Sequence, residues 1–280
     1  MRPIGVDVAV GDLVLQPGVP LGAAEIGLLM TLGLTEVTCY RQPTVAVLST
    51  GDELVDPGGP VPPGAIRDSN PYALVAAIRE AGGIPHSLGR ARDDRDLQTR
   101  LVREGVQRAD VLLTSGGVSV GDRDFIKPAL EELGRVHFGR IALRPGLSLT
   151  FAEIGDRLAF GLPGNPVSSL VTFEVFVRPA LRAMQGHMHP LRPRVQVILE
   201  TAVRRGGNRT EYHRVVIRLQ DGELLARSTG DQLVSRLLSM RGHNGLAIIE
   251  MGTGTIPAGT RVDAILTGPL ETQSSIGTPA

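Results

Sequence analysis

The sequence is poor in cysteine, in aromatic residues and in net charge, and each shortage argues against a class of protein. The single cysteine, Cys39, allows no intramolecular disulfide and no zinc site built on several thiolates. We expect it to be a small buried side chain. Tryptophan is absent and aromatic residues make up 3% of the chain, which argues against a site that stacks bases. The formal net charge is zero, so neither a nucleic acid nor an anionic membrane surface is expected as a partner.

Long apolar runs are missing as well. No stretch reaches the roughly 18 apolar residues of a membrane span, and no basic-then-apolar signal segment opens the chain. The sequence therefore predicts a cytoplasmic protein. Glycine and proline are abundant instead, with 35 and 20 residues, which indicates many tight turns and loops lined by backbone.

Strand and helix patterns alternate between residues 43 and 187. A β-branched run at residues 44–48 precedes a helical pattern near residues 70–81, and the same rhythm returns later in the segment. A strand is predicted over residues 135–142, and a long helix ends near Met184. This alternation predicts an α/β domain of three layers, with a mostly parallel sheet and helices on both faces.

After residue 187 the rhythm changes to short strands separated by glycine, asparagine and aspartate turns, which predicts a small all-β, barrel-like domain. We therefore divide the chain into a linker or dimerisation remnant (1–42), the α/β domain (43–187), the β domain (191–270) and a disordered tail (271–280).

Three polar loops follow strands of the predicted sheet, at residues 49–53, 115–124 and 162–166. Ligands of open parallel sheets bind at the carboxyl ends of strands, so we expect these loops to form one site. Gly116 and Gly117 would let an anion approach bare N–H groups. Neither a Walker loop nor a Gly-x-Gly-x-x-Gly fingerprint is present.

Carboxylates accompany these loops, among them Asp52, Glu53, Asp93, Asp122 and Asp124. Such groups would repel a phosphate unless a divalent cation bridges them, as Mg²⁺ does. Helix caps and solvated loop charges are the alternative.

Two arginines follow the predicted glycine loop. Arg140 and Arg144 are four residues apart on a predicted strand, which would place them on one face. They would either clamp an oxyanion or form a pair at the rim of the site.

Six stretches together carry a family resemblance, in this order along the chain: STGDEL, RDSNPYAL, the Asp93–Asp94 doublet, TSGGVSVGDRDF, ALRPG and GLPGNPVSS. With them the chain resembles the molybdopterin molybdenumtransferases, the MoeA family that includes the homologous domain of gephyrin. The resemblance implies that adenylylated molybdopterin and molybdate react to give molybdenum cofactor and AMP, assisted by Mg²⁺.

The resemblance also assigns residues. It implies catalytic carboxylates at Glu53, Asp93 and Asp124, the first two of which would also bind the metal. It implies a substrate-binding set that consists of Thr50, Gly51, Asp52, Asn70, Ser115, Gly116, Gly117, Ser119, Gly121, Asp122, Arg140, Arg144, Pro163, Gly164, Asn165 and Pro166.

Two departures from the family pattern leave alternatives open. Leu147 stands where a second lysine is expected, and residues 1–42 match only the segment after an N-terminal lobe that contributes active-site residues and helps form a homodimer. The chain is then an active enzyme, a catalytically incomplete pterin-binding or scaffold module, or part of a longer enzyme. Expected partners are the pterin and a molybdopterin adenylyltransferase.

Overall fold

The computed structural model describes residue 3 and residues 5–118 and 124–271. Its α-helices are α1 (Ala23–Thr31), α2 (Asn70–Glu80), α3 (Arg95–Arg108), α4 (Ile126–Leu133), α5 (Pro166–Thr172) and α6 (Arg178–Met184). A π-helical turn, Phe173–Val177, joins α5 to α6, and a 3-10 turn covers Leu237–Met240. Within the described ranges, every helix is too short or too polar to traverse a bilayer.

The strands fall into two groups along the chain. The first group is β1 (Thr44–Thr50), β2 (Leu54–Val55), β3 (Ile66–Arg67), β4 (Ile84–Ala91), β5 (Val111–Ser115), β6 (Arg135–Phe138), β7 (Leu143–Arg144), β8 (Thr150–Ile154) and β9 (Arg157–Leu162). The second group is β10 (Arg194–Leu199), β11 (Val203–Arg204), β12 (Thr210–Gln220), β13 (Glu223–Ser228), β14 (Gly245–Ile249), β15 (Thr255–Ile256) and β16 (Arg261–Leu266).

The first large sheet has the order β4-β1-β5-β9-β8-β6. Its first four strands are mutually parallel, whereas β8 is antiparallel to both of its neighbours, β9 and β6. Helices pack on both faces of this sheet, so the predicted fold class is confirmed. The helix predicted to end near Met184 does so.

Strand β1 shows how the two faces are built. Val45 and Val47 point to the core that includes α2 and α6, while Ala46 and Leu48 point to the core that includes α3 and α4. All four side chains are fully buried. A strand covered on both faces reads as a continuous apolar run, which is why residues 44–48 are recognisable from sequence.

The second large sheet closes on itself. Strands β13, β10, β16, β14 and β12 are neighbours in that order, and β12 pairs again with β13. Val197, Ile217 and Ala264 fill the interior. The Glu271 N–H donates to the carbonyl of Ile217, and the rest of the predicted tail, residues 272–280, lies outside the described residues.

Strand β7 leaves the α/β sheet and pairs in parallel with β12 of the barrel. The prediction of one strand over residues 135–142 is therefore wrong beyond Phe138. It follows that Arg140 and Arg144 do not share a strand face, because Arg140 lies between β6 and β7. The strand ends at Phe138 because the chain then turns toward the barrel, where β7 pairs with β12. No local sequence pattern indicates this pairing.

A buried carboxylate fixes the segment that enters β1. Asp110 accepts hydrogen bonds from Arg41, Arg157 and both the N–H and the hydroxyl of Thr44. Hydrogen bonds from the Arg41 guanidinium and from Thr44 hold the pKa of Asp110 well below its usual range. Cys39 lies in the same entering segment and is exposed, so its predicted burial is wrong: this stretch precedes the core strand.

We expect Asp110→Asn to lower the free energy of unfolding by about 1–3 kcal/mol at pH 7, because three partners lose a charged acceptor. Because the pKa of Asp110 is lower in the folded than in the unfolded state, the carboxylate stabilises the fold at pH values above its unfolded-state pKa, which is near 4. That stabilisation is lost as the pH falls below this value toward the folded-state pKa. Urea unfolding at pH 7 and at pH 3 should therefore show a difference that shrinks in acid. Asp156→Asn, which removes an exposed partner of Arg157, is the control, and an equal loss in both variants would contradict the expectation.

Candidate functional site

A cleft of about 390 Å³ lies at the carboxyl ends of the parallel strands. Predicted site residues from five chain segments line it, namely Thr50, Gly51, Glu53, Asn70, Asp93, Ser115, Gly116, Gly117, Asp124, Pro163, Gly164 and Asn165. Pro166 is the first residue of α5, directly after this lining. Ser119, Gly121 and Asp122 lie outside the described residues.

The strand order explains the position of the cleft. The chain passes from β1 to β4 on one side and then to β5 on the other side of β1. Such a reversal leaves a crevice outside the carboxyl ends of the two strands involved. Residues that follow β1, β4, β5 and β9 therefore meet at one edge.

Glycine is required where two of these loops touch. Gly116 has a φ of +92°, and a Cβ there would lie 2.7 Å from the Thr50 carbonyl oxygen. Gly117 has a φ of +66°, and its Cβ would lie 2.9 Å from the Thr50 hydroxyl oxygen. A side chain at either position would force the loops after β1 and β5 apart.

The Asn70 side chain ties two other loops together. Its Nδ2 donates to the Ser115 hydroxyl oxygen and to the Gly164 carbonyl oxygen, both at 2.7 Å. Both amide protons are thus engaged within the protein. Asn70 consequently fixes the width of the cleft between the loops after β5 and β9.

The Asp93 segment contacts the loop after β1. The Asp93 N–H donates to Asp52 Oδ1 at 3.2 Å. Asp52 does not line the cleft itself but an adjoining recess, which also contains Arg90 and Arg92. Gly51 and Asp93 line both spaces.

The donor chemistry of the cleft suits a hard divalent cation. Glu53, Asp93 and Asp124 offer only carboxylate oxygens, and Mg²⁺ commonly uses one or two carboxylates together with substrate oxygens. Among the described residues, no three metal-ligating side chains converge closely enough to hold an ion by themselves. Glu53, Asp93 and Asp124 are the cleft residues whose carboxylates could provide oxygen ligands to such an ion.

A buried hydroxyl adds polarity to the wall. Thr50 is nearly fully buried, and no hydrogen-bond partner for its Oγ1 is found in the described part of the chain. Unpaired buried polar atoms cost free energy. This hydroxyl oxygen lies beneath the glycine loop, 2.9 Å from the position that a Cβ on Gly116 or Gly117 would take.

Arg144 lies in a different place, a cavity of about 730 Å³ on the barrel. Its Nη1 donates to Glu211 Oε1 at 3.0 Å, and His213 Nε2 lies 2.7 Å from Glu211 Oε2. Arg204, Arg205 and the fully buried Arg214 line the same cavity. Burial lowers the pKa of Arg214 to about 10 and also lowers that of His213. The cavity is basic and suits an anion.

One short loop touches both spaces. Arg144 and Pro145 line the barrel cavity, whereas Ser148 lines the cleft. Leu147 lies between them and is 38% exposed. Arg140 is not among the described residues that line either space.

Glu211, His213 and Arg214 were not predicted as site residues. They lie on β12, 67 or more positions after Arg144, and their strand pattern gives no signal of that pairing. Glu211 and Arg214 are both almost fully buried, which is unusual for charged residues, but this burial has no signature in the sequence.

The comparisons with known proteins agree with this arrangement. The family described as probable molybdopterin binding domain matches residues 46–183, and the MoeA C-terminal region, domain IV, matches residues 196–267. The chain is 37% identical to gephyrin of Dictyostelium discoideum over 96% of its own length, and 35% identical to the molybdopterin molybdenumtransferase of Haemophilus influenzae over 94%. The solved structure of the MoeA protein from Pyrococcus horikoshii superposes with a TM-score of 0.80 at 31% identity, covering 95% of this chain and 64% of that one.

Together these matches define a protein with a molybdopterin-binding α/β domain followed by a MoeA-type barrel. The chain belongs to the molybdopterin molybdenumtransferase family. It spans 43% of the Dictyostelium gephyrin and 65% of the Haemophilus enzyme.

We expect Gly116→Ala to lower the free energy of unfolding by about 1–3 kcal/mol more than Gly155→Ala, because only the former meets backbone. Gly155 also has a positive φ, of +61°, but nothing lies within 4 Å of its Cβ position. Chemical denaturation of both variants measures the difference. Equal losses would mean that the contact with Thr50 can relax at little cost.

Proposed function

We propose that this chain takes part in molybdenum cofactor biosynthesis by inserting molybdate into adenylylated molybdopterin, with release of AMP. The observation that carries the proposal is the cleft in which Glu53, Asp93 and Asp124 meet the glycine loop after β5. The names of the relatives, two of which are molybdopterin molybdenumtransferases of Haemophilus influenzae and Bacillus subtilis, support it.

The lining of the cleft gives the pterin half a polar, backbone-rich wall. The absence of side chains at Gly116 and Gly117 leaves room for the terminal phosphate to approach the backbone of this loop, although the Gly116 N–H already donates to the Leu162 carbonyl oxygen. Ser115 and Asn165 offer polar side chains to the ring system. Glu53 and Asp93 would hold Mg²⁺, which, when bound, supplies positive charge against the phosphoanhydride oxygens. The carboxylates alone would repel those oxygens, so they act through the cation.

The barrel cavity supplies the opposite charge. Arg144, Arg205 and Arg214 place several cationic groups at the end of the loop that leads from the cleft. Such a cavity would hold a tetrahedral dianion such as molybdate close to the pterin without a compensating metal. Arg140, outside both linings, would act at the rim.

The proposal extends to the localisation, the partners and the oligomeric state of the protein. We expect the protein to work in the cytoplasm, to receive its substrate from a molybdopterin adenylyltransferase, and to form a homodimer as the family does. The division of the chain into a linker remnant, an α/β domain, a β domain and a tail also stays a prediction.

A second candidate, a pterin-binding or scaffold module without catalysis, is favoured by one observation. Leu147, on the loop between the cleft and the cavity, provides no charge where the family pattern has a lysine. Tight pterin binding without AMP release in the presence of excess molybdate and Mg²⁺ would support this alternative. Molybdate-dependent release by the purified chain would exclude it.

We expect Glu53→Gln and Asp93→Asn each to reduce molybdate-dependent AMP release at least about a hundredfold, because each removes a carboxylate that would bind the cation. The melting temperature should stay close to that of the wild-type protein. Asp96→Asn, on the exposed first turn of α3, is the matched control with full activity. Unchanged release in both cleft variants would refute the assignment.

We expect Leu147→Lys to lower the molybdate concentration at half-maximal release by about fivefold, which corresponds to one added charge near the anion in water. Leu147→Gln removes the same apolar surface without adding charge, and it should behave like the wild-type protein. Steady-state titrations with molybdate measure both variants. If glutamine and lysine give the same effect, the charge at this position is irrelevant.

A further inference from the structure

Gln98 is a fully buried polar side chain close to the cleft that has no role in the proposed metal insertion. It lies on α3, and its Nε2 donates to the carbonyl oxygen of Arg92 at 2.9 Å. The same carbonyl also accepts the Asp94 N–H at 2.8 Å. A hydrogen bond between residues two apart closes a three-residue turn, and the central residue of this turn is Asp93.

The turn is therefore fixed from two sides. The Arg92 carbonyl oxygen accepts two hydrogen bonds, one from the Asp94 N–H that closes the turn and one from the Gln98 side chain. On the other side of the turn, the Asp93 N–H donates to Asp52. At the other end of the Gln98 amide, Oε1 lies 3.5 Å from the position that a Cβ on Gly117 would take. Gln98 thus lies between the Asp93 turn and the glycine loop after β5.

The Oε1 atom has no hydrogen-bond partner among the described residues. An amide buried only for packing would be replaced by an apolar side chain at little cost, because an unpaired buried acceptor is unfavourable. Within the described residues, the hydrogen bond that the Gln98 side chain makes is directed at the turn that carries a predicted metal ligand.

We propose that Gln98 is a positioning residue for Asp93, acting through the Arg92 carbonyl to hold the carboxylate where it binds the divalent cation. This inference rests on the proposed function for the cation. The Gln98 amide would orient the Asp93 carboxylate without contacting it. Residues that hydrogen-bond to metal ligands, and not to the metal, have this effect at metal sites.

The test uses Gln98→Met in the full chain, because methionine keeps the length and volume of glutamine and removes its donor. Hydrogen exchange of the peptide covering residues 90–98 should accelerate. Mn²⁺ affinity, measured by electron paramagnetic resonance with the metal alone, should fall about fivefold, the equivalent of one net hydrogen bond. If this variant does not fold, Gln98→Asn, whose amide is too short to reach Arg92, should show the same two changes.

Gln185→Met is the matched control. Gln185 donates from Nε2 to the Ala81 and Leu181 carbonyl oxygens, away from the cleft, so its replacement should change neither readout. Wild-type exchange at residues 90–98 in Gln98→Met would overturn the proposal. Faster exchange with unchanged Mn²⁺ affinity would overturn it too, because the turn would then not control the carboxylate.

Failure of the proposed function gives a distinguishable result. In that case the wild-type protein binds no Mn²⁺ through Glu53 and Asp93, so Glu53→Gln changes nothing in the metal titration. The exchange of residues 90–98 then decides by itself whether Gln98 holds the turn.

Discussion

The cleft depends on the parallel pairing of β4, β1, β5 and β9. Parallel strands deliver their carboxyl ends to one edge, so residues far apart in the chain meet without long loops. Helices cover both faces of the sheet, and the buried apolar run Val45–Leu48 in β1 is the clearest sign of that cover. A polar side chain in the middle of β1 would weaken the sheet and the site together.

Pairing brings the loops near one another, and two side-chain amides then fix them. Asn70 reaches from α2 on one face of the sheet and joins the loops after β5 and β9. Gln98 reaches from α3 on the other face and holds the turn after β4. Asn70 and Gln98 belong to helices whose apolar sides pack in the two cores of the domain. Their hydrogen bonds therefore hold the loops of the cleft in fixed positions relative to those cores.

Much of this could be predicted from local patterns. Apolar strands, the Asn70–Glu80 helix and the glycine loop after β5 each have a signature in their own residues, so the fold class and most of the cleft lining follow from the sequence. The features that could not be predicted depend on pairing between segments that are distant in the sequence. The turn of the chain after Phe138 that sends β7 to the barrel, and the Arg144–Glu211 contact it creates, join segments with no shared local signal.

The zero net charge of the chain conceals a separation of charge. Among the described residues, the cleft is lined by carboxylates without any lysine or arginine, whereas the barrel cavity gathers four arginines around the single carboxylate of Glu211. An acidic space attracts a cation and a basic space attracts an anion, and the loop from Arg144 to Ser148 connects them. Because β7 is hydrogen-bonded into the barrel, that connection has a defined geometry. Under the proposed function, a phosphate-bearing substrate and a metal oxyanion would occupy these two spaces, and the β7–β12 pairing would set the separation between them.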